Sequence, residues 1–345
     1  MKIFKLAVIA FSSTLTLTAC DPPIPESLLV AQAEQVVQCG EPGDVSVYMD
    51  PGFADLIDTW NEPLIEACPG LSMSGASTVA EAQLVASIFP APCEAIASAP
   101  VAYDAAAIVF YLDEAFSINL SGEAIQGIFT GVITNWSDPI FSDLNPEVLF
   151  PDLPLQVVAS SNKLVIEAME NWSGELTGQS KTFGLLTDDP EAVFSDLIFE
   201  MAPGSVGLFP LSEANIAGST VANIETPAGV LLPDQQAVYA GSTMFSTQTE
   251  DQFVTASFDS QAMPLPSPGS SEAALPYRAL VPVSLTICGE DSLSKRAVAR
   301  YALRLDAQGL IATSAIVGLE EKVRVASASV LGIGLPVPEV TELSE

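Results

Sequence analysis

No histidine occurs among the 345 residues. That absence removes Ser-His-Asp and Cys-His mechanisms, imidazole metal sites and any histidine pH switch. Bases are scarce as well: eleven Lys and Arg stand against 43 Asp and Glu, a formal charge of −32, although charged residues make up only 16 % of the chain. The imbalance comes from missing cations rather than abundant acids. Nucleic acid is excluded as a partner, since nonspecific affinity for it comes from Lys and Arg neutralising phosphates. Between Cys20 and Asn162 there is no base at all. An anion bound by that half must therefore be held by backbone N–H groups, hydroxyls and helix amino termini. Beyond the amino-terminal segment no stretch of about 18 apolar residues exists to span a bilayer. The acidity itself is explained by solubility in a saline exterior.

What the chain does have is apolar bulk, 49 % of its residues, with 7 % aromatic. At ~100–200 residues per domain, this is enough for two globular domains with sizeable cores.

The amino terminus reads as a targeting segment. Lys2 and Lys5 precede the apolar run Leu6–Phe11, and the segment closes on Leu17-Thr18-Ala19-Cys20. A charged start, a short apolar stretch and a small-residue cleavage site make a signal peptide over 1–19, too short for a spanning helix. The last four residues resemble a bacterial lipobox, which implies cleavage before Cys20 and a diacylglycerol on its thiol. An ordinary secretory signal is the alternative, and the cysteine's place at the end of the apolar stretch argues against it. The expectation is an extracytoplasmic, periplasmic or cell-surface lipoprotein, touching the membrane through its lipid only. Asp21 resembles an inner-membrane retention signal. Loss of 1–19 takes two of the eleven bases, leaving nine against 43 acids, a net of −34.

Four further cysteines, Cys39, Cys68, Cys93 and Cys288, are an even number in an exported chain and imply two disulfides with three pairings open. Cys39 lies before the first strand candidate and Cys288 after a late one, whereas Cys68 and Cys93 each precede a short early strand. That placement favours Cys39–Cys288 and Cys68–Cys93. No C-x-x-C pair accompanies them, so neither a metal nor any cofactor is expected.

Residues 20–43, with Pro22, Pro23 and Pro25, read as a tether. Strand and helix patterns then alternate: strands at 45–49, 71–74 and 94–98, helices at 53–66 and 77–89. Alternation of this kind predicts parallel βαβ construction with ligands at the carboxyl ends of the strands. The apolar run 106–112 reads as a strand buried on both faces. Ser121 caps a short amphipathic helix whose Ile125, Ile128 and Phe129 share one face. A strand at 155–159 leads into Ser160-Ser161-Asn162, three helix-capping residues, and a helix from Lys163 towards Trp172. Further on come a helix at 190–201, a strand at 206–209, a Pro- and Ser-rich loop at 263–276, a strand at 281–288 and helices at 292–306 and 310–327. The helix at 292–306 carries Lys295, Arg296, Arg300 and Arg304, placed for a partner or for the helix dipole. Trp60, Trp136 and Trp172 read as packing residues.

Residues 120–139, LSGEAIQGIFTGVITNWSDP, followed by Leu144-Asn145-Pro146 and Leu153-Pro154-Leu155-Gln156-Val157-Val158, resemble the substrate-binding proteins of phosphate ABC transporters. Pro203-Gly204-Ser205-Val206-Gly207-Leu208 is a second match and Ala97–Val101 a third. The resemblance covers residues 44 to about 330. It implies an α/β fold of the two-lobed, type II periplasmic-binding-protein kind, with two crossing strands and a ligand cleft between the lobes. Lobe one would be 44–112 plus 276–330, lobe two 113–275, with 331–345 a tail. It implies no enzyme but a binding protein presenting phosphate, another oxyanion or a small polar solute to an ABC permease.

The family's ligand loops are altered here. The resemblance sets Ala159 or Ser160 at the family's arginine, Ala99 at its aspartate, Met49-Asp50-Pro51 at its first loop and Gly75-Ala76-Ser77-Thr78 at its serine loop. The polar set that survives is Asp50, Ser74, Ser77, Thr78, Ser98, Ser160, Ser161, Asn162 and Lys163. Plainer roles stand beside these: Ser77, Ser160 and Ser161 as helix caps, Lys163 as a solvated first-turn residue, Asp50 as a turn residue. An alternative is a retained fold whose site has decayed, serving as a surface interaction, adhesion or sensory lipoprotein. A hydrolase lacks support, since no carboxylate stands in a motif.

Overall fold

The computed structural model describes residues 36–158, 163–184, 198–267, 269–311 and 316–336. The signal segment, Cys20, Ser160–Asn162 and most of the helix expected at 190–201 lie outside them. Residues 37–338 form one compact α/β unit.

Three parallel strands open the fold: β1 (Gly43–Met49) between β2 (Leu71–Gly75) and β3 (Leu84–Ser87). The helix Leu56–Ala67 connects β1 to β2 and buries Leu56, Ile57, Trp60 and Leu64. Burying one stripe of a helix against the strands it connects is the usual βαβ economy. The expected helix at 77–89 is corrected. Only a short 3-10 turn forms at Val79–Glu81, and Leu84–Ser87 is a strand buried at every position. Helical periodicity was outweighed by the slot between β1 and β13 (Leu280–Cys288), which a four-residue strand buried at every position fills from both sides.

The strands expected at 94–98 and 106–112 are one strand, β4 (Ala95–Phe110), sixteen residues long and buried from Ala99 onward. Its first part runs antiparallel to β13, with Ala105 opposite Leu280 and Ala95 opposite Cys288. From Ala106 onward its partners are β7 (Ser205–Pro210) and β8 (Thr220–Val221), and β7 in turn carries β6 (Gln156–Val158) in parallel. One strand thus joins two sets of neighbours. Proline is accommodated where a ladder bond is not required. A register shift follows Val283 beside the pair Ser284–Pro100, and opposite Pro282 the N–H and C=O of Tyr103 both bond to Val317.

β5 (Asn119–Leu120), β9 (Asn223–Thr226) and β10 (Gly229–Leu231) make a small separate sheet. The hairpin β11 (Phe245–Glu250) and β12 (Phe253–Phe258) pairs with the start of β4 through Phe253 and Ser98.

The 120–139 stretch is a packing unit. Ser121 caps the helix Gly122–Phe129 by accepting from the Ala124 N–H. The Gly127 carbonyl takes the N–H groups of both Val132 and Ile133, and a Cβ at Gly127 would lie 2.4 Å from Ile133. Trp136 is fully buried among Phe110, Phe141 and Phe150, its indole N–H on the Gly204 carbonyl. Trp60 and Trp172 are likewise buried.

The disulfides are Cys39–Cys68 and Cys93–Cys288, with Cα separations of 5.2 and 5.7 Å. This corrects the pairing that sequence position favoured. The parallel pairing of Gly43 with Leu71 sets Cys39 beside Cys68, and the antiparallel pairing of Ala95 with Cys288 brings in Cys93. Sheet register, not order along the chain, decides which thiols meet.

Two basic residues of the helix Leu293–Tyr301 turn inward. Lys295 donates to the carbonyls of Cys288 and Glu290, and buried Arg296 bonds Asp291, Gln252 and the Val330 carbonyl.

Candidate ligand-binding site

The carboxyl ends of parallel strands β1 and β3 adjoin, where open α/β sheets place their ligands. Asp50 follows β1 directly and Ser87 ends β3. One oxygen of Asp50 accepts from the Ser87 hydroxyl at 3.0 Å and from the Ile88 N–H at 2.9 Å. Its other oxygen, Oδ1, is buried without a hydrogen-bond partner among the described residues. Burial is the largest effect on this carboxyl and, with the nearby Asp104 charge adding to it, pushes its pKa up to about 7.

Asp104 stands on β4 just before the strand changes neighbours. It accepts from the N–H of Ala105 and from both the N–H and hydroxyl of Ser212, and so caps the helix Leu211–Ile216. Pro210 before that helix offers no side-chain cap, and Asp104 supplies one from another strand. Complete burial pushes its pKa up to about 6 against the lowering effect of those bonds. The Tyr48 hydroxyl is pushed up to about 12, first by burial and then by the charges of Asp50 and Glu213. Gly52 packs directly against the start of the helix Leu211–Ile216: a Cβ there would lie 2.1 Å from the Ser212 hydroxyl.

Of the polar set expected from sequence, only Asp50 belongs to this buried cluster. Ser74 donates to Asp44, outside it. Ser77 and Thr78 are exposed; Thr78 precedes the 3-10 turn without capping it through its side chain. Ser98 pairs with Thr286 across the β4–β13 ladder. Lys163 begins the helix Lys163–Thr177, two-thirds exposed and 3.4 Å from Glu167, as its plainer reading has it. Ser160, Ser161 and Asn162 lie outside the described residues. Sequence reading missed Ser87, Asp104, Ser212 and Glu213. Asp104 had a signal: it is the one acid in the apolar stretch 95–110.

The described residues contain no cluster of Asp, Glu or Cys arranged to hold a metal ion. No helix among them is long and apolar enough to cross a membrane.

Comparison with known proteins agrees with this architecture. The sequence profile of the PBP superfamily domain matches residues 78–268, more than half of the chain, and the chain belongs to that superfamily of binding proteins. The phosphate-binding protein PstS 3 of Mycobacterium tuberculosis H37Rv and PstS3 of Mycobacterium bovis BCG are each 28 % identical to it over 139 residues. That match spans 38 % of this chain and 38 % of each relative, so the chain covers little more than a third of their length. Among solved structures, one from Clostridium perfringens, described as a phosphate ABC transporter substrate-binding protein with bound phosphate, superposes with a TM-score of 0.50 and 14 % identity. It covers 81 % of this chain and all of its own. The resemblance read from residues 120–139 is thus borne out, and the fold is the α/β periplasmic-binding-protein fold.

Proposed function

We propose that the chain is a lipid-anchored extracytoplasmic solute-binding protein of the phosphate-binding type, delivering a small ligand to an ABC permease. In this reading residues 44–112 with 276–330 act as one lobe and 113–275 as the other, except that the β11–β12 hairpin pairs with the first half of β4. The ligand, phosphate or another oxyanion or polar solute, sits at the carboxyl ends of β1 and β3. The observation that carries the reading is the passage of β4 from one set of sheet partners to another beside that point, in a chain of the PBP superfamily. A strand shared in this way is a natural hinge for closure around a ligand.

A second reading, a retained fold serving as an interaction, adhesion or sensory lipoprotein, is favoured by one observation. Asp50 and Asp104 are buried where an anion would need donors, and their hydrogen-bond partners are hydroxyls and backbone N–H groups, not cations. Calorimetric titration of the full chain with phosphate, sulfate and neutral polar solutes separates the two. Micromolar or tighter binding of any of them supports the solute-binding reading, and loss or strengthening of phosphate binding by Asp50→Asn would locate it at Asp50. Silence across the panel from folded protein supports the second.

A further inference from the structure

Tyr103 and Asp104 are neighbours on β4, so their side chains leave opposite faces of the sheet. The Asp104 face meets Ser212 and the candidate site. On the other face Tyr103 packs on Phe245 with ring centroids 4.5 Å apart, and Phe245 on Phe258 at 5.5 Å. Beside these rings a groove of about 650 Å³ runs between the helix Lys163–Thr177 and the β11–β12 hairpin, floored by Leu280–Pro282 of β13. Its volume is that of a small-molecule site.

The walls are of two kinds. Phe245, Phe258, Leu280 and Trp172 give an apolar, rigid surface, with Trp172 itself held edge-on against Tyr277 at 4.6 Å. Along the rim the helix sets Glu167, Asn171 and Glu175 at four-residue intervals, on one face. Opposite stands Arg278, one Nη of which donates to Glu175 at 2.9 Å, with both side chains about one-third exposed. The other donors of Arg278, the second oxygen of Glu175 and the Asn171 amide have no partner among the described residues.

We propose that this groove binds a free α-amino acid with a large apolar side chain. The unused edge of the Arg278 guanidinium takes the carboxylate in a forked pair. The open Glu175 oxygen, Glu167 and the Asn171 carbonyl take the ammonium, and the side chain lies on Phe245, Phe258 and Leu280. Adjacent opposite charges on the rim suit a ligand whose own two charges are one carbon apart. The groove lies on the opposite face of the β4–β13 ladder from the candidate cleft and does not depend on what that cleft binds.

The test is calorimetric titration of the full chain with L-phenylalanine, beside phenethylamine, 3-phenylpropanoate and glycine, which lack the carboxylate, the ammonium and the apolar body. L-Phenylalanine is expected to bind, and each of the three at least about tenfold more weakly. Arg278→Gln and Glu175→Gln should each weaken binding by about tenfold or more with an unchanged thermal transition. Ala256→Trp, which fills the groove from the hairpin, should abolish it. No heat from folded protein at millimolar L-phenylalanine overturns the proposal, as does equal binding of the analogues or indifference to all three substitutions. Displacement of L-phenylalanine by phosphate would place the amino acid in the cleft and overturn the groove, whereas failure of phosphate to bind leaves it standing.

Discussion

The two faces of the β4–β13 ladder are built from adjacent residues and solve opposite problems. On the Asp104 face, carboxyls are buried among hydroxyls and backbone N–H groups, and Gly52 packs directly onto Ser212. On the Tyr103 face, aromatic rings pack tightly but leave a groove open to solvent with its charges at the rim. Buried charge has to be satisfied from within the fold, and it therefore ties segments together. Charge at a rim keeps its water and stays free to exchange partners. The first face holds its charges inside the fold, the second at the surface.

The largest expected effect breaks both faces together. Cys93–Cys288 clamps the end of the ladder and closes a chain separation of 195 residues, against 29 for Cys39–Cys68. Replacing Cys93 and Cys288 by Ser should cost about 5 kcal/mol in chemical denaturation, and the Cys39 and Cys68 pair roughly 1.7 kcal/mol less, because loop-closure entropy grows slowly with length. Equal losses would mean that the longer loop is already restrained in the unfolded chain.

Breaking one face alone comes next. Asp104→Ala leaves the N–H and hydroxyl of Ser212 unpaired at the start of the helix Leu211–Ile216 and should cost about 3 kcal/mol. Stability within about 0.5 kcal/mol of the parent would show that water replaces the cap.

Titration sharpens the contrast further. The Asp50 pKa is raised in the fold to about 7, so the folded chain holds a proton that the unfolded chain has released. Its stabilising contribution is whole below about pH 4 and is lost as pH rises towards 7. Asp104, raised to about 6, acts with the same sign over a narrower window. Asp50→Asn should flatten the fall and leave the protein about 2 kcal/mol more stable than the parent near pH 8. A parent whose denaturation midpoint is constant from pH 5 to 8 would count against the buried pair, on the scale of about 1 kcal/mol per pKa unit.

The smallest effect belongs to the apolar face. The Tyr103 hydroxyl is buried without a partner among the described residues, so Tyr103→Phe should change stability by no more than about 0.5 kcal/mol, towards stabilisation. A loss above about 1 kcal/mol would reveal a bond through water.

The sequence by itself determined the apolar framework. Absent histidine and scarce bases excluded whole classes of chemistry, and residues 120–139 specified a capped helix that forms as read, because local capping suffices for it. Tertiary structure alone decided the rest. Leu84–Ser87 became a strand because a slot between β1 and β13 buries it on both sides. Cys39 met Cys68, and Cys93 met Cys288, because strand register sets distance where chain order does not. Asp50, Ser87, Asp104 and Ser212 come from four distant segments and carry no spacing that a reader of the chain could use. Ser74 and Ser98, promising by position, are turned to Asp44 and Thr286 by the two-residue period of a strand. Local rules choose the elements, and the direction in which each side chain leaves its element is decided only when the sheet is assembled.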